Sequence, residues 1–142
     1  MGSVISRRDF PSVSKQVHQG VFLLAFQAAP PADSTSMNVG LLFGEKLFRA
    51  KTDSQEIDIE AVLGSVVNEI NGNLLLKNTD VLFNPDYGVD VIRLLLHIGR
   101  NRKLFVIWPG EVTSTRLTYS EPNRFDYREY NINDYVDTYV VL

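Results

Sequence analysis

Apolar positions along this chain fall either into short unbroken runs or into rows at helical spacing, with turn residues between them. Val21 to Phe26, Leu74 to Leu76 and Leu104 to Trp108 are the unbroken runs. A strand that is apolar at consecutive positions is covered on both faces, which is the pattern of a central strand in a parallel sheet. Between the second and third runs, Asp90 to Gly99 sets Val91, Leu94, Leu95 and Ile98 on one helical face, with Gly99 placed to close it. Residues 73–110 therefore read as strand, helix, strand, a βαβ unit that favours parallel strands and a right-handed crossover. Lys103 to Trp108, stopped by Pro109 and Gly110, is the clearest strand of the chain.

The same spacing predicts a helix over Ile57 to Ile70, capped by Asp53 or Ser54 and ended by Asn71 and Gly72. Phe10, Val13 and Val17 predict a short amphipathic helix from Pro11 to Gln19, inside a segment (1–19) that is otherwise polar. Met37 to Phe43 reads as a strand or as a strand entering a helix. Gly44 to Thr52 shows only a solvated face of Glu45, Lys46, Arg49 and Lys51. The tail, 112–142, changes character: Arg116 to Ser120 alternates, Glu121 to Arg124 turns, and Asp126 to Tyr130 can pair back. Tyr135 to Leu142 is aromatic and β-branched, suited to a final sheet strand or to an edge that pairs with a partner. The expected architecture is α/β in a single domain, 1–142, with a mainly parallel sheet of about five strands.

Composition narrows the chemistry. An apolar content of 44% and a charged content of 22% suit a soluble globular domain. The net charge of -3 supplies no global attraction to nucleic acid or an anionic membrane. With no cysteine and two histidines, thiolate chemistry is excluded and a His-rich metal site is not expected. No apolar run reaches the roughly 18 residues that span a bilayer, and the N-terminus does not read as a signal peptide, so no membrane contact and a cytoplasmic location are expected.

In parallel sheets, ligands gather at the carboxyl ends of the strands. Lys77 to Asp80 and Trp108 to Glu111 occupy such ends. Gln27 to Ser36, after the first apolar run, has the position of a phosphate-binding loop without its residues: no glycine falls between Gly20 and Gly40 and no lysine between Lys15 and Lys46. Trp108 to Gly110 suits a buried ring and tight turn, whereas the Glu111 carboxylate has no packing task. Tyr119, Tyr127, Tyr130 and Tyr135, interleaved with Arg124 and Arg128, suit stacking on bases or a protein interface. Asp126, Glu129, Asp134 and Asp137 offset the basic charge and favour protein contact, leaving DNA an indirect partner at most. His97 reads as a core or boundary histidine, and no serine stands in a nucleophile elbow.

Five stretches in order carry a family resemblance. They are Leu-Leu-Leu-Lys-Asn-Thr-Asp-Val-Leu-Phe-Asn-Pro (74–85), Arg-Leu-Leu-Leu-His-Ile-Gly-Arg-Asn-Arg (93–102), Val-Ile-Trp-Pro-Gly-Glu-Val (106–112), Leu-Thr-Tyr-Ser-Glu-Pro (117–122) and Asp-Tyr-Arg-Glu-Tyr (126–130). Over Leu74 to Asn133 the chain resembles BrxF, the small P-loop protein of BREX bacteriophage-resistance systems. The resemblance implies a P-loop NTPase-like, AAA+-like three-layer fold, ATP and magnesium as ligands, and larger partner proteins in antiviral defence. It also implies that an arginine such as Arg100 or Arg102 reaches a neighbouring subunit's nucleotide, although cations at a helix C-terminus are favourable through the helix dipole alone.

Two departures bear on activity. The family's phosphate loop falls at Gln27 to Thr35, where its glycines and lysine are missing. Its magnesium-holding acid falls at Lys77, whose charge repels a metal, and Asp80 is the nearest carboxylate. Lys77 can contact a phosphate or simply face solvent beside Asp80. The expectation is a pseudo-ATPase, without a cofactor, that assembles with itself or with other defence subunits. The alternatives are an ATPase subunit completed in an oligomer, binding ATP and magnesium there, and a mimic that inhibits such an ATPase.

Overall fold

Five consecutive residues, Gly20–Leu24, are fully buried, and they form the strand β2 at the centre of the molecule. The computed structural model describes residues 2–31, 33–52, 58–113 and 115–142. Burial on both faces leaves β2 no polar position, which is why its sequence shows no alternation.

The expected βαβ unit is present. β4 (Asn73–Lys77) and β5 (Lys103–Ile107) run parallel, with Leu74 opposite Leu104 and Leu76 opposite Val106. Between them lies α4 (Val91–Ile98), whose N-cap Asp90 accepts from the Arg93 amide at 3.2 Å and whose Val91, Ile92, Leu94 and Leu95 are buried. α3 (Ile59–Asn68) is capped by Asp58, which accepts from the Ala61 amide. The caps expected further upstream, Asp53 and Ser54, lie outside the described residues.

Among the described residues the main sheet has six parallel strands rather than about five, in the order β1-β9-β2-β5-β4-β3. The additional strand is β1 (Ser3–Ile5), in the segment that reads as polar. β3 (Ser34–Asn38) forms the opposite edge and runs directly into α2 (Val39–Thr52), so the strand-entering-a-helix alternative is the one realised, and 44–52 is helical. β9 (Thr138–Val141) sits between β1 and β2, with Val140 opposite both Val4 and Leu23. The last strand is therefore internal, and the alternative of a partner-pairing edge falls.

One face of the sheet packs Leu23, Leu74, Leu76, Leu104 and Val106 against Phe43 of α2, Leu63 of α3 and Leu95 of α4. The other face packs Phe22, Leu24, Leu75, Phe105 and Ile107 beneath a much thinner layer, made of α1 (Phe10–Gln16) and of residues such as Phe26 and Ala28. Phe22 stacks between Phe105 and Tyr139, at centroid separations of 5.2 and 4.8 Å.

That thin layer follows from geometry. β2 and β3 point the same way but lie three strand positions apart, so residues 25–33 must return the length of a strand while stepping sideways. The span is roughly 22 Å, taking about 17 Å of strand and about 4.8 Å per step. Nine helical residues reach only about 13 Å, whereas nine extended residues reach about 30 Å. Among its described residues the connection forms no helix, and it covers the sheet where a helix would otherwise lie.

Between β5 and β9 the chain builds a small antiparallel sheet of β6 (Glu111–Thr113), β7 (Arg116–Tyr119) and β8 (Arg128–Asn131). The expected return pairing holds, with Leu117 opposite Tyr130 and Tyr119 opposite Arg128. β6 was not anticipated.

Candidate functional site at the carboxyl ends of the strands

Because β2, β4 and β5 are parallel, their carboxyl ends lie at the same end of the sheet. β4 ends at the exposed Lys77, after which Asn78 adopts a left-handed conformation (φ 54°) and starts the 3-10 turn Thr79–Phe83. This turn buries Thr79, Leu82 and Phe83 and leaves Asp80 exposed. β5 ends at Trp108, which is buried and donates from Nε1 to the Thr118 carbonyl at 2.9 Å. At Gly110 an added Cβ would collide with that same carbonyl oxygen, so only glycine lets the chain pass this close to β7.

β7 then delivers Tyr119 beside the first turn, where its ring stacks on Phe83 at 4.1 Å. Burial raises the Tyr119 phenol above its ordinary range, and the hydrogen-bonded Asp80 carboxylate raises it further. Ser120 follows in the left-handed region (φ 67°), and its Oγ donates to Asp126 Oδ1 at 2.6 Å. Arg124 Nε lies 3.9 Å from the same oxygen. Together with Pro109 and Glu121, these residues line an open groove of about 320 Å³. Its carboxylates outnumber its one cation, so it suits a cationic or hydrogen-bond-donating group of a partner molecule. Among the described residues, no cluster of three or more histidine and carboxylate side chains is arranged to hold a metal.

ATP and magnesium, which the family resemblance implies, do not fit this end of the molecule. The connection after β2 forms no helix among its described residues, so no helix N-terminus follows β2 to meet a phosphate, and the helix that opens at this end, α2, follows the edge strand β3 instead. The end of β4 presents the ammonium of Lys77 where a metal needs a carboxylate. Asp80 is engaged with Tyr119.

The remaining candidates are dispersed. Glu111 is exposed at the start of β6, opposite Thr118 and outside the groove. Arg100 and Arg102 lie at the other end of the sheet, before β5. Arg102 Nη1 donates to the carbonyls of Ile70 at 2.7 Å and Gly72 at 3.2 Å, and it closes the C-terminal end of α3. Arg100 borders a hollow of about 190 Å³ with Gly20, Val136 and Asp137. His97 is exposed rather than buried, with Nδ1 2.8 Å from Glu60 Oε1.

The aromatic tail divides in two. Tyr119 and Arg124 line the groove, and Tyr127 and Arg128 are half-buried beside them, with Tyr127 Oη donating to Glu129 at 3.2 Å. Tyr130 and Tyr135 are only 7% exposed each and belong to the core, so neither ring presents a surface for a partner. Burial raises both phenols. Sequence reasoning missed Ser120, Glu121, Asp126 and Phe125, the last being 84% exposed and next in the chain to the groove residues Arg124 and Asp126. Their signal was slight: Ser120 ends the alternating segment, Glu121 opens the turn to Arg124, and Asp126 begins the segment that pairs back. No family model, curated protein or solved structure matches the chain.

Proposed function

We propose that this chain is a non-hydrolysing, pseudo-ATPase-like component of a BREX-type phage-defence system that acts through protein–protein assembly. The observation that carries the non-hydrolysing part is the connection from β2 to β3, which forms no helix among its described residues where a phosphate loop and its helix would stand. Lys77 at the end of β4 agrees with it, because a cation there opposes magnesium. The link to phage defence rests on the residue order from Leu74 to Asn133. A P-loop-like ancestry belongs to the same proposal. Counted from β2 in chain order, the core strands lie 5-1-4-3-2, which suits the AAA+-like sheet that the resemblance implies.

The assembly surface is the groove and its lip, where the exposed Phe125 stands in the chain between Arg124 and Asp126, two of the residues that line the groove. An exposed aromatic beside an arginine is the composition that interfaces favour. Calorimetric titration of the purified chain with Mg-ATP tests the proposal, and no saturable heat is expected. Micromolar binding by the isolated chain would overturn the pseudo-ATPase reading; binding that arises only in the assembled complex would support the completed-ATPase alternative instead.

A further inference from the structure

The thin layer over the second face of the sheet is not closed. Between α1 and the connection from β2 to β3 lies a pocket of about 370 Å³, at the amino ends of β4 and β5 and remote from the groove described above. Its apolar walls are Phe10 and Pro11 from α1 and Ala29 and Pro31 from the connection. Its floor is Asn73 and Lys103, and Lys15 and Asp33 stand at the rim. This volume and this apolar lining with few polar groups are those of a small-molecule site.

The hydrogen-bonding groups in the pocket are unbalanced. Asn73 Oδ1 already accepts from the Lys103 amide at 2.9 Å, which leaves the amide nitrogen of Asn73 as a donor. Lys103 Nζ donates one proton to the Ser14 carbonyl at 2.8 Å and retains two. Lys15 adds a second ammonium, against the single carboxylate of Asp33. Donors and positive charge therefore face one apolar slot. The half-buried position of Lys103 makes its charge more effective toward a ligand than a fully solvated ammonium.

We infer that this pocket binds a small organic anion with a flat apolar body, such as an aromatic carboxylate or sulfonate. The anionic head meets Lys103, Lys15 and the Asn73 amide, and the ring lies between Phe10 and Pro31. The site is independent of the pseudo-ATPase reading, since it uses neither the carboxyl ends of the strands nor the tail.

Naphthalene-2-sulfonate serves as the probe, with neutral 2-methylnaphthalene as the control, each titrated into the full-length 15N-labelled chain. Saturable shifts are expected at the amides of Ala29, Asn73 and Lys103, with at least tenfold weaker binding of the neutral compound. Lys103→Met is expected to weaken the sulfonate about tenfold, and Lys103→Arg to restore most of the loss. The rim variant Lys15→Gln, expected to cost about threefold, keeps the test decisive if Lys103→Met disturbs folding. Equal binding of the two naphthalenes, shifts confined to other faces, or no saturable shift would overturn the inference.

Discussion

Tyr135 donates its phenolic hydrogen to Asp90 Oδ2 at 2.8 Å, while Oδ1 of the same carboxylate accepts the Arg93 amide that begins α4. One aspartate thus joins the tail to the helix of the central βαβ unit. Tyr135→Phe removes only the hydroxyl and is expected to lower unfolding stability by about 1–2 kcal/mol. Asp90→Ala removes the cap as well and strands the buried hydroxyl, for an expected loss of about 2–3 kcal/mol. Urea unfolding measures both; equal midpoints for wild type and Tyr135→Phe would deny the link any weight.

The same contact sets an alkaline limit. Burial, then the Asp90 carboxylate, hold the Tyr135 phenol well above its ordinary value of 10.0, so the folded state keeps a proton that the unfolded chain releases. Stability from this group is complete below about pH 10 and is lost as pH rises through the folded value. Tyr130 adds to the effect, being raised by burial. Denaturant midpoints are expected to fall between about pH 10 and 11.5, and more gently in Tyr135→Phe, which has one group fewer to titrate. A variant slope as steep as that of the wild type would assign the alkaline loss to other groups.

Gly110→Ala tests the joint between β5 and the small sheet. The new methyl meets the Thr118 carbonyl, which also accepts from Trp108 Nε1, so relieving the clash displaces that hydrogen bond. The expected cost is about 2–3 kcal/mol. Because Trp108 is the sole tryptophan, its emission is expected to shift to the red as the indole meets water. Unchanged emission and stability would mean that β7 moves aside freely.

What could be read from the sequence was what burial writes into it. β2, β4 and β5 are apolar at nearly every position because both faces are covered. α4 announces itself through its apolar stripe, Asp90 and Gly99. β3 is Ser-Thr-Ser-Met-Asn, an edge strand with polar side chains that give no periodic signal, and β1 is only three residues long. The prolines marked Gln27 to Ser36 as a loop, but its last three residues belong to β3, and its route across the sheet depends on β3 pairing with β4, a relation between distant segments. The tail failed for a similar reason. Tyrosine suits a core and an interface equally, and only the packing of Tyr130 and Tyr135 on each other, on Trp108 and on the start of α4, the last two distant in sequence, makes them core. The groove was half legible: Asp80, Tyr119 and Arg124 were candidates, but nothing local brings residues 80 and 120–126 together.

Arg102 separates a structural role from a nucleotide-sensing one. Its guanidinium fastens the end of α3 through the Ile70 and Gly72 carbonyls, so Arg102→Met is expected to cost about 1–2 kcal/mol. Arg100→Met, at an exposed position, is expected to stay within about 0.5 kcal/mol of wild type. Thermal unfolding distinguishes the pair. An Arg102→Met protein with wild-type stability but altered behaviour in the assembled complex would return this residue to the functional candidates.

Phe125 carries the assembly proposal into a measurement. A phenyl ring 84% exposed contributes little to the fold, so Phe125→Ser is expected to leave the unfolding midpoint within about 0.5 kcal/mol of wild type. If the lip of the groove is the contact surface, the same change removes a central aromatic anchor and is expected to weaken association by tenfold or more. Arg124→Glu reverses the one cation of the groove and is expected to act in the same direction without unfolding the chain. Sedimentation velocity across a concentration series reads self-association, and co-purification of tagged variants from the native host reads the defence partners. Loss of one or both in the two variants, with stability retained, places the interface at this lip. Retention of both by Phe125→Ser and Arg124→Glu would move the interface elsewhere on the molecule.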